Sequence, residues 1–586
     1  MSAKQASVET DVLIIGTGPA GSSAAALLST YGIRNMVVNK YGWTARTPRA
    51  HITNQRTMEV LRDLGLEAEA VHLATPAELM GENTYCTSLA GEELGRIKTW
   101  GTHPQRRADY ELSSPTTMCD LPQNLLEPVL VRAAAHRGSK VRFDTEYLRM
   151  AADDDGVTAT LLDRLTGNEF EVRCKYLIGA DGANSKVVED AGLPVVGEMG
   201  LSGSINMVFD ADLSKYVAHR PSVLYWVIQP GSDVGGLGIG VVRMVRPWNR
   251  WLAIWGYEVE QGPPVIDAEL ATSIVHRLIG DDTIPVHIDS TSTWTVNNAF
   301  VTRNFDGRVF CMGDATHRHP PTNGLGSNTS IQDAFNLAWK MALVLKGKAS
   351  PDLLETYDAE RSPVAEQIVT RANKSLGDFP PILQALGLFD TKDPEQMHEN
   401  MAARKASTPE AAKQRAALIH AIDSTHYVYN AHGVEMNLRY TSNAVVPDGT
   451  PDPGFSRDAE LYHEHSSRPG APIPHAWLQR GKDEVSTLDL CGKGAFSVIT
   501  GTGGEAWQGA AEAAAAEYGI AINTHVIGPG KTHEDPYGDF ARLREIDENG
   551  ALLVRPDFIV GWRSHTLPDD PTGALSGALA SILGTR

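Results

Sequence analysis

Residues 12–39 read VLIIGTGPAGSSAAALLSTYGIRNMVVN, and the order of residue types in this stretch decides the fold of the N-terminal half. Residues 12–15 have the length and composition of a buried strand, and 22–31 carry a helical pattern stopped by Gly32. Residues 36–39 supply the next strand, so the stretch is a βαβ unit of an α/β fold. Gly16, Gly18 and Gly21 lie between strand and helix. Their spacing permits a tight turn, a close approach of pyrophosphate to the backbone, and close helix–strand packing, which points to a dinucleotide site. The acidic residue usual at the end of the second strand is replaced by Asn39, followed by Lys40. Asparagine can still bond a ribose hydroxyl, but without charge. A rival assignment stays open, in which this unit binds NADPH and Lys40 meets the 2′-phosphate.

Working outward, 586 residues call for two to four domains, and 42% hydrophobic content supports sizeable cores. A formal charge of −20 disfavours nucleic acid and anionic membranes as partners. Five scattered cysteines with no CxxC suggest neither a disulfide framework nor a zinc site. No export signal or run of eighteen apolar residues is present, so a cytoplasmic protein with no membrane span is expected. Helical patterns recur at 57–64, 125–135, 353–375 and 394–423, and residues 205–255 are rich in β-branched and aromatic types that read as a sheet. VPDGTPDPG at 446–454 reads as a linker. Beyond it come a strand at 496–500, an Ala-rich helix at 505–518, a strand at 523–527, a hairpin over 552–562 and a closing helix. GSDVGGLGIG at 231–240 opens no evident βαβ unit and is not read as a second nucleotide loop.

Two further signals follow strands. YLIGADGANSKVV places Asp181 and Gly182 after one, and GDATHRHPPTNGLGSN, 313–328, places Gly313 and Asp314 after another and feeds a long helical pattern. Glycines there allow close backbone approach, and a helix N-terminus favours negative charge on a ligand. His317-x-His319 has strand spacing without a third ligand, so no metal is expected; His463-x-His465 is expected on the surface for the same lack of partners.

One chain carrying these three elements in this order resembles the flavoprotein aromatic hydroxylases, the single-component FAD monooxygenases of the p-hydroxybenzoate and phenol hydroxylase type. TPRAHITNQRTMEVLRDLGL (47–66), CDLPQNLLEPVL (119–130), HRHPPTNGLGSNTSIQDAFNLAWKMALVLKG (317–347) and YDAERSPVA (357–365) look closest to the chlorophenol hydroxylases among them. The resemblance implies a discontinuous Rossmann-like FAD-binding domain over 1–190 and 300–420, with an inserted mixed β-sheet substrate domain at 191–299. It further implies a linker at 421–469 and a thioredoxin-like domain at 470–586, which here lacks CxxC because Cys491 stands alone. By the same resemblance Gly16, Gly18 and Gly21 hold the FAD pyrophosphate, and Asn39 takes the ribose position. Arg46 and Arg49 lie on the phosphate side, Asp314 binds the ribityl chain, and Gln123, Pro321, Gly324, Gly326 and Asn328 border the isoalloxazine. Asp181 opens a loop that in the family runs on to Ser and Arg, whereas here Lys186-Val187-Val188 follow Ser185, which changes its NADPH-guiding role.

The implied reaction is hydroxylation of a phenol or chlorophenol ortho to its hydroxyl, using NADPH and O2 through a C4a-hydroperoxyflavin. An electron-rich phenolate needs a base, and His51, after Pro48-Arg49-Ala50, stands where phenol hydroxylases carry an aspartate. Tyr225, Trp226 and Pro321 are candidate walls for an aromatic substrate. A homo-oligomer, dimer or tetramer, is the implied assembly. An NADP-linked dehydrogenase and a flavin-binding electron-transfer module are the competing classes; the first leaves the Gly313-Asp314 segment unexplained.

Overall fold

The computed structural model describes residues 8–230 and 239–585; residues 231–238, most of the GSDVGGLGIG stretch, lie outside the described residues. Val8–Ile15 sits at the centre of an eight-stranded sheet, parallel to Asn168–Gly179 on one side and to Asn35–Val38 on the other. Val309–Cys311 and Lys140–Arg142 extend the parallel set at its two sides. Val38, Ile15, Gly179 and Cys311 form one row across this sheet. The glycine loop, Asn39, Asp181 and Gly313-Asp314 therefore leave it at a common carboxyl edge, although they are far apart in sequence. The helix Pro19–Thr30 follows the glycine loop and packs its alanine-rich face against Gln123–His136 and Gly326–Leu345 in one core.

A second eight-stranded sheet contains His287–Val301, Val195–Asp210, Arg250–Tyr257, Ile239–Arg246 and Leu224–Ile228, antiparallel to one another. It does not stop at the expected boundaries of 191 and 299. Glu82–Cys86 pairs in parallel with Leu224–Ile228 and carries Glu93–Lys98 as the edge strand. The first domain thus contributes two strands, because a strand of Leu224–Ile228's apolar composition is not left as a bare edge.

The C-terminal sheet runs Ile522–Ile527, Phe496–Gly501, Ala551–Val554, Val560–Ser564, with the first pair parallel and the others antiparallel. Its core is continuous with that of the first domain: Trp339 meets Phe496 at 5.8 Å and Phe335 meets Phe558 at 5.3 Å. The expected linker at 421–469 is mostly packed chain. Tyr429, His432 and Glu435 are buried, while 447–459 runs exposed without helix or strand, pinned where Arg563 grips Asp448 at 2.6 Å. His463 and His465 are half-buried against each other, 4.5 Å between ring centres, rather than on the surface, because His463 packs on His432 at 6.0 Å and bonds Asn437 Oδ1 at 2.9 Å.

Candidate active site

Two helix N-termini shape the cleft at the carboxyl edge of the first sheet. Gly16, at φ 108°, and Gly21 are required by packing: a Cβ would lie 2.1 Å from the Ala180 carbonyl oxygen and 2.0 Å from that of Gly16, respectively. Gly18 differs. It caps the helix Pro19–Thr30 with no side chain on the first-turn N–H groups, and a Cβ there would meet nothing closer than 3.9 Å, so the position is open to a ligand. The helix Gly326–Leu345 is likewise uncapped by any side chain. In front of it stands Asp314, exposed, its carboxylate without a hydrogen bond among the described residues. The loop behind Asp314 is held rigidly: Gly313 N–H and His317 Nε2–H donate to Asp333 Oδ2 at 3.1 and 2.9 Å, and Arg361 donates to Asp333 Oδ1 at 2.7 Å. Arg46 and Arg49 are exposed with no ion pair among the described residues. Free N–H groups, an open glycine, an unpaired carboxylate and two unpaired guanidinium groups fit a dinucleotide cofactor whose pyrophosphate is anionic and whose sugar chain carries hydroxyls.

The remaining sequence candidates divide. Gln123 is half-exposed and donates to Glu127 Oε1 at 2.5 Å; Gly324 (φ 64°) and Pro321 lie in the loop leading to the helix. Asn39 donates to Thr17 Oγ1 at 2.6 Å and so ties the glycine loop to the second strand. Asp181 spends its carboxylate inside its own loop, accepting from Ser185 Oγ at 2.5 Å and Lys186 N at 2.8 Å. Asn328 carries a structural role as well. Its buried amide accepts from Asn54 N at 3.0 Å and donates to Ile52 O at 2.8 Å, so it staples the segment that carries His51.

His51 is positioned by backbone. Ala50 adopts φ 46°, an uncommon conformation for alanine that turns the chain into the short strand Ile52–Thr53, and this strand pairs with Cys119–Asp120. The pairing sets Asp120 beside the imidazole, and His51 Nδ1–H donates to Asp120 Oδ2 at 3.1 Å. Arg243, buried, donates to Asp120 Oδ1 at 3.2 Å and to the Pro48 carbonyl. Neither Asp120 nor Arg243 was legible in the sequence. Burial and then the Arg243 charge hold the His51 pKa below 6.5, against the pull of Asp120. Asp120 feels burial in the opposite direction, but His51 and Arg243 outweigh it and keep the carboxyl below its ordinary value. The result is a neutral imidazole whose Nδ1 is committed and whose Nε2 lone pair has no partner among the described residues, the state required of a proton acceptor.

The wall next to His51 is aromatic. Trp100 meets His51 edge-on at 6.5 Å and Tyr429 at 6.1 Å, and Trp226 lies 4.4 Å from Phe379. Tyr225 is not part of it. Alternation along the strand sends Tyr225 to the far face of the sheet, fully buried against Trp251, with its hydroxyl donating to Arg220 O at 2.9 Å.

A carboxyl edge with two uncapped helix N-termini, next to a neutral histidine and an aromatic wall, fits a flavoprotein that works on an aromatic ring, and the chain belongs to the FAD-dependent aromatic-ring hydroxylase family. Residues 9–372 match the family described as FAD binding domain, and residues 466–585 match that described as aromatic-ring hydroxylase, C-terminal. Among curated proteins it is similar to the 2,4-dichlorophenol 6-monooxygenase of Delftia acidovorans, 66% identical over the whole of both chains. It is 50% identical to the phenol 2-monooxygenase of a Pseudomonas species, over 98% of this chain and 93% of that one. Among solved structures it resembles the flavin-dependent monooxygenase PieE in complex with FAD and substrate, with a TM-score of 0.95, 44% identity, and 99% and 100% of the two chains covered. The FAD match includes the N-terminal glycine loop, which leaves a nicotinamide dehydrogenase without its site. No helix among the described residues is long and apolar enough to cross a membrane.

Proposed function

We propose that this protein uses NADPH and O2 to hydroxylate a phenol, 2,4-dichlorophenol or a close analogue, ortho to its hydroxyl and so release a catechol. The observation that carries this reading is the His51–Asp120–Arg243 chain, which leaves one unpaired basic nitrogen facing an aromatic wall beside the Gly324 loop. FAD, when bound, supplies electron transfer from NADPH and the activation of oxygen. Gly18 and the N-terminus of Pro19–Thr30 would hold its pyrophosphate, with Arg46 and Arg49 nearby, and Asp314 would take hydroxyls of the ribityl chain. The uncapped N-terminus of Gly326–Leu345 favours negative charge on the reduced ring.

The rest of the work belongs to the chain. The phenol ring lies against Trp100 and Trp226 with its hydroxyl at His51 Nε2. His51 takes the phenolic proton and leaves an electron-rich phenolate. Asp120 fixes the tautomer and stabilises the imidazolium as it forms, and Arg243 keeps Asp120 ionised and in place. The C-terminal unit, whose strand order and directions support the thioredoxin-like reading, has a packing role, since Cys491 is buried and alone. We infer a cytoplasmic location from the unpaired cysteines, and a homo-oligomer, dimer or tetramer, from the family resemblance alone.

NADPH oxidation and catechol formation, measured together on the flavin-loaded protein with phenol, 2,4-dichlorophenol and p-hydroxybenzoate, test the reading. Matching oxidation and product with a chlorophenol are expected. NADPH consumption without product from any of the three would favour an electron-transfer module instead. His51→Ala is expected to keep FAD and lose about 100-fold in kcat/KM; full activity removes His51 from the chemistry.

A further inference from the structure

The sheet face that carries Arg243 carries a second polar group that the proton chain does not use. Across three adjacent strands Asn83 pairs with Leu224, and Leu224 with Arg243; one step on, Tyr85 pairs with Trp226. Alternation puts Asn83, Tyr85, Leu224, Trp226 and Arg243 on one face. With strands about 4.8 Å apart, Asn83 and Arg243 stand about 10 Å apart on either side of Leu224. That distance suits a substituted benzene ring.

The two ends are satisfied unequally. Arg243 is paired with Asp120 and the Pro48 carbonyl. Asn83 is fully buried, yet neither its Nδ2 nor its Oδ1 has a hydrogen-bond partner among the described residues, and the same holds for Trp226 Nε1 and Tyr429 Oη. These groups converge. The Tyr429 hydroxyl is pushed well above its ordinary range, by burial first and then by Tyr85, while the neighbouring side chains of Trp226 and Asn83 act on it in the opposite direction. Tyr429 reaches the base through one ring, since Trp100 touches both Tyr429 and His51 edge-on. Buried amides in folded proteins are rarely left unpaired at both atoms, and such a group calls for a partner. Here the surroundings are otherwise apolar, with Tyr85, Ile97, Trp100 and Val223 in the same cluster.

We propose that Asn83, Trp226 and Tyr429 form a substituent-recognition site, which receives a hydrogen-bond-accepting group, halogen or oxygen, on the ring position para to the hydroxyl that His51 deprotonates. The proposal rests on the placement of the phenolic hydroxyl at His51. Two N–H donors and a hydroxyl would then select an acceptor over a methyl group of similar size, because a methyl leaves all three unpaired.

The test compares 4-chlorophenol with 4-methylphenol, a pair of nearly equal shape, in the flavin-loaded wild type and in the variants Asn83→Leu and Tyr429→Phe. Two ratios are read: kcat/KM for the pair, and Kd for the pair from the perturbation of flavin absorbance without turnover. A fall of about fivefold or more in the chloro-to-methyl ratio in the variants is expected. Unchanged ratios in the folded variants overturn the proposal and leave the orphaned groups as part of the packing of the sheet face. If Asn83→Leu fails to fold, Tyr429→Phe, which deletes a single oxygen, decides alone. His51→Ala run beside them separates the two readings: retained turnover in His51→Ala with shifted Kd ratios in the others refutes the base while sustaining the substituent site.

Discussion

His51 depends on partners that its local sequence does not contain. Asp120 lies 69 positions from His51, and Arg243 a further 123 from Asp120. The residue type and its place after Pro48-Arg49-Ala50 were enough to single out His51 as a candidate base, but the groups that would make it one come from other strands. This chain makes a prediction with a sign. If His51 is the base, activity needs it neutral, and the acid limb of the pH–rate profile should fall below 6.5, in line with the lowered pKa. Asp120 pulls that pKa upward, so Asp120→Asn should move the acid limb to still lower pH while reducing the plateau, because the tautomer is no longer fixed. An acid limb that moves up instead would contradict the arrangement. The same variant leaves the buried Arg243 without its counter-charge, and a loss of about 3 kcal/mol in urea unfolding is expected.

Helices and parallel strands were legible because their signals are local. The helix expected at 57–64 spans Gln55–Asp63, begun by Asn54, whose side chain accepts from Thr57 N at 3.0 Å, and the long helices after 326 and 356 lie where the periodicity put them. The edge of the second sheet was not legible, since nothing near Glu82 states that its partner lies beyond residue 220. The burial of 421–469 was hidden in the same way: polar residues such as His432 look solvated until Gln55 Oε1 is found 2.8 Å from the imidazole. At this scale the glycine loop gives a paired test. Gly16→Ala would drive a Cβ into the Ala180 carbonyl and should not yield folded protein, whereas Gly18→Ala meets no close atom and should fold with an unchanged melting temperature. Its FAD affinity should nevertheless drop by about tenfold, because the added methyl stands where pyrophosphate approaches. Titration of the apoprotein with FAD, followed by fluorescence quenching, reads both.

The domains are joined by charge as well as by core. Arg555 of the C-terminal unit is fully buried and donates to Glu360 and Asp557, and Glu360 also accepts from Lys340 at 2.8 Å. Burial pushes the Glu360 carboxyl up, but Arg555 and Lys340 hold it well below its ordinary value. Arg555→Met should cost about 3–5 kcal/mol by denaturant melting, since Asp557 loses its ion-pair partner and Glu360 is left with Lys340 alone. A second junction is titratable. Burial first, then neighbouring charges, holds His432 and His463 well below 6.5 and His465 and His475 at about 4. A folded pKa below the unfolded one means stability that is complete above 6.5 and is lost as pH falls towards 4. Glu435, raised by burial to about 8, has the opposite sign: its contribution fades as pH rises from 4.5 to 8. Melting temperature should therefore decline on both sides of a maximum, more steeply on the acid side, where several groups titrate together; a Tm that is flat between pH 7 and 5 would remove the histidine junction from the account.

The parallel pairing of Glu82–Cys86 with Leu224–Ile228 also bears on how the chain is made. Thr84 and Ser222, whose hydroxyls bond at 2.7 Å, are 138 positions apart. During synthesis the hairpin of Glu82–Lys98 emerges long before the strand that will receive it, and its inner edge waits unpaired. Loop closure over that length is slow, and an exposed strand edge is a template for wrong partners. This wall of the second sheet therefore closes only after residue 228 has been made, and raising the expression temperature is expected to lower the soluble yield through aggregation of the waiting hairpin.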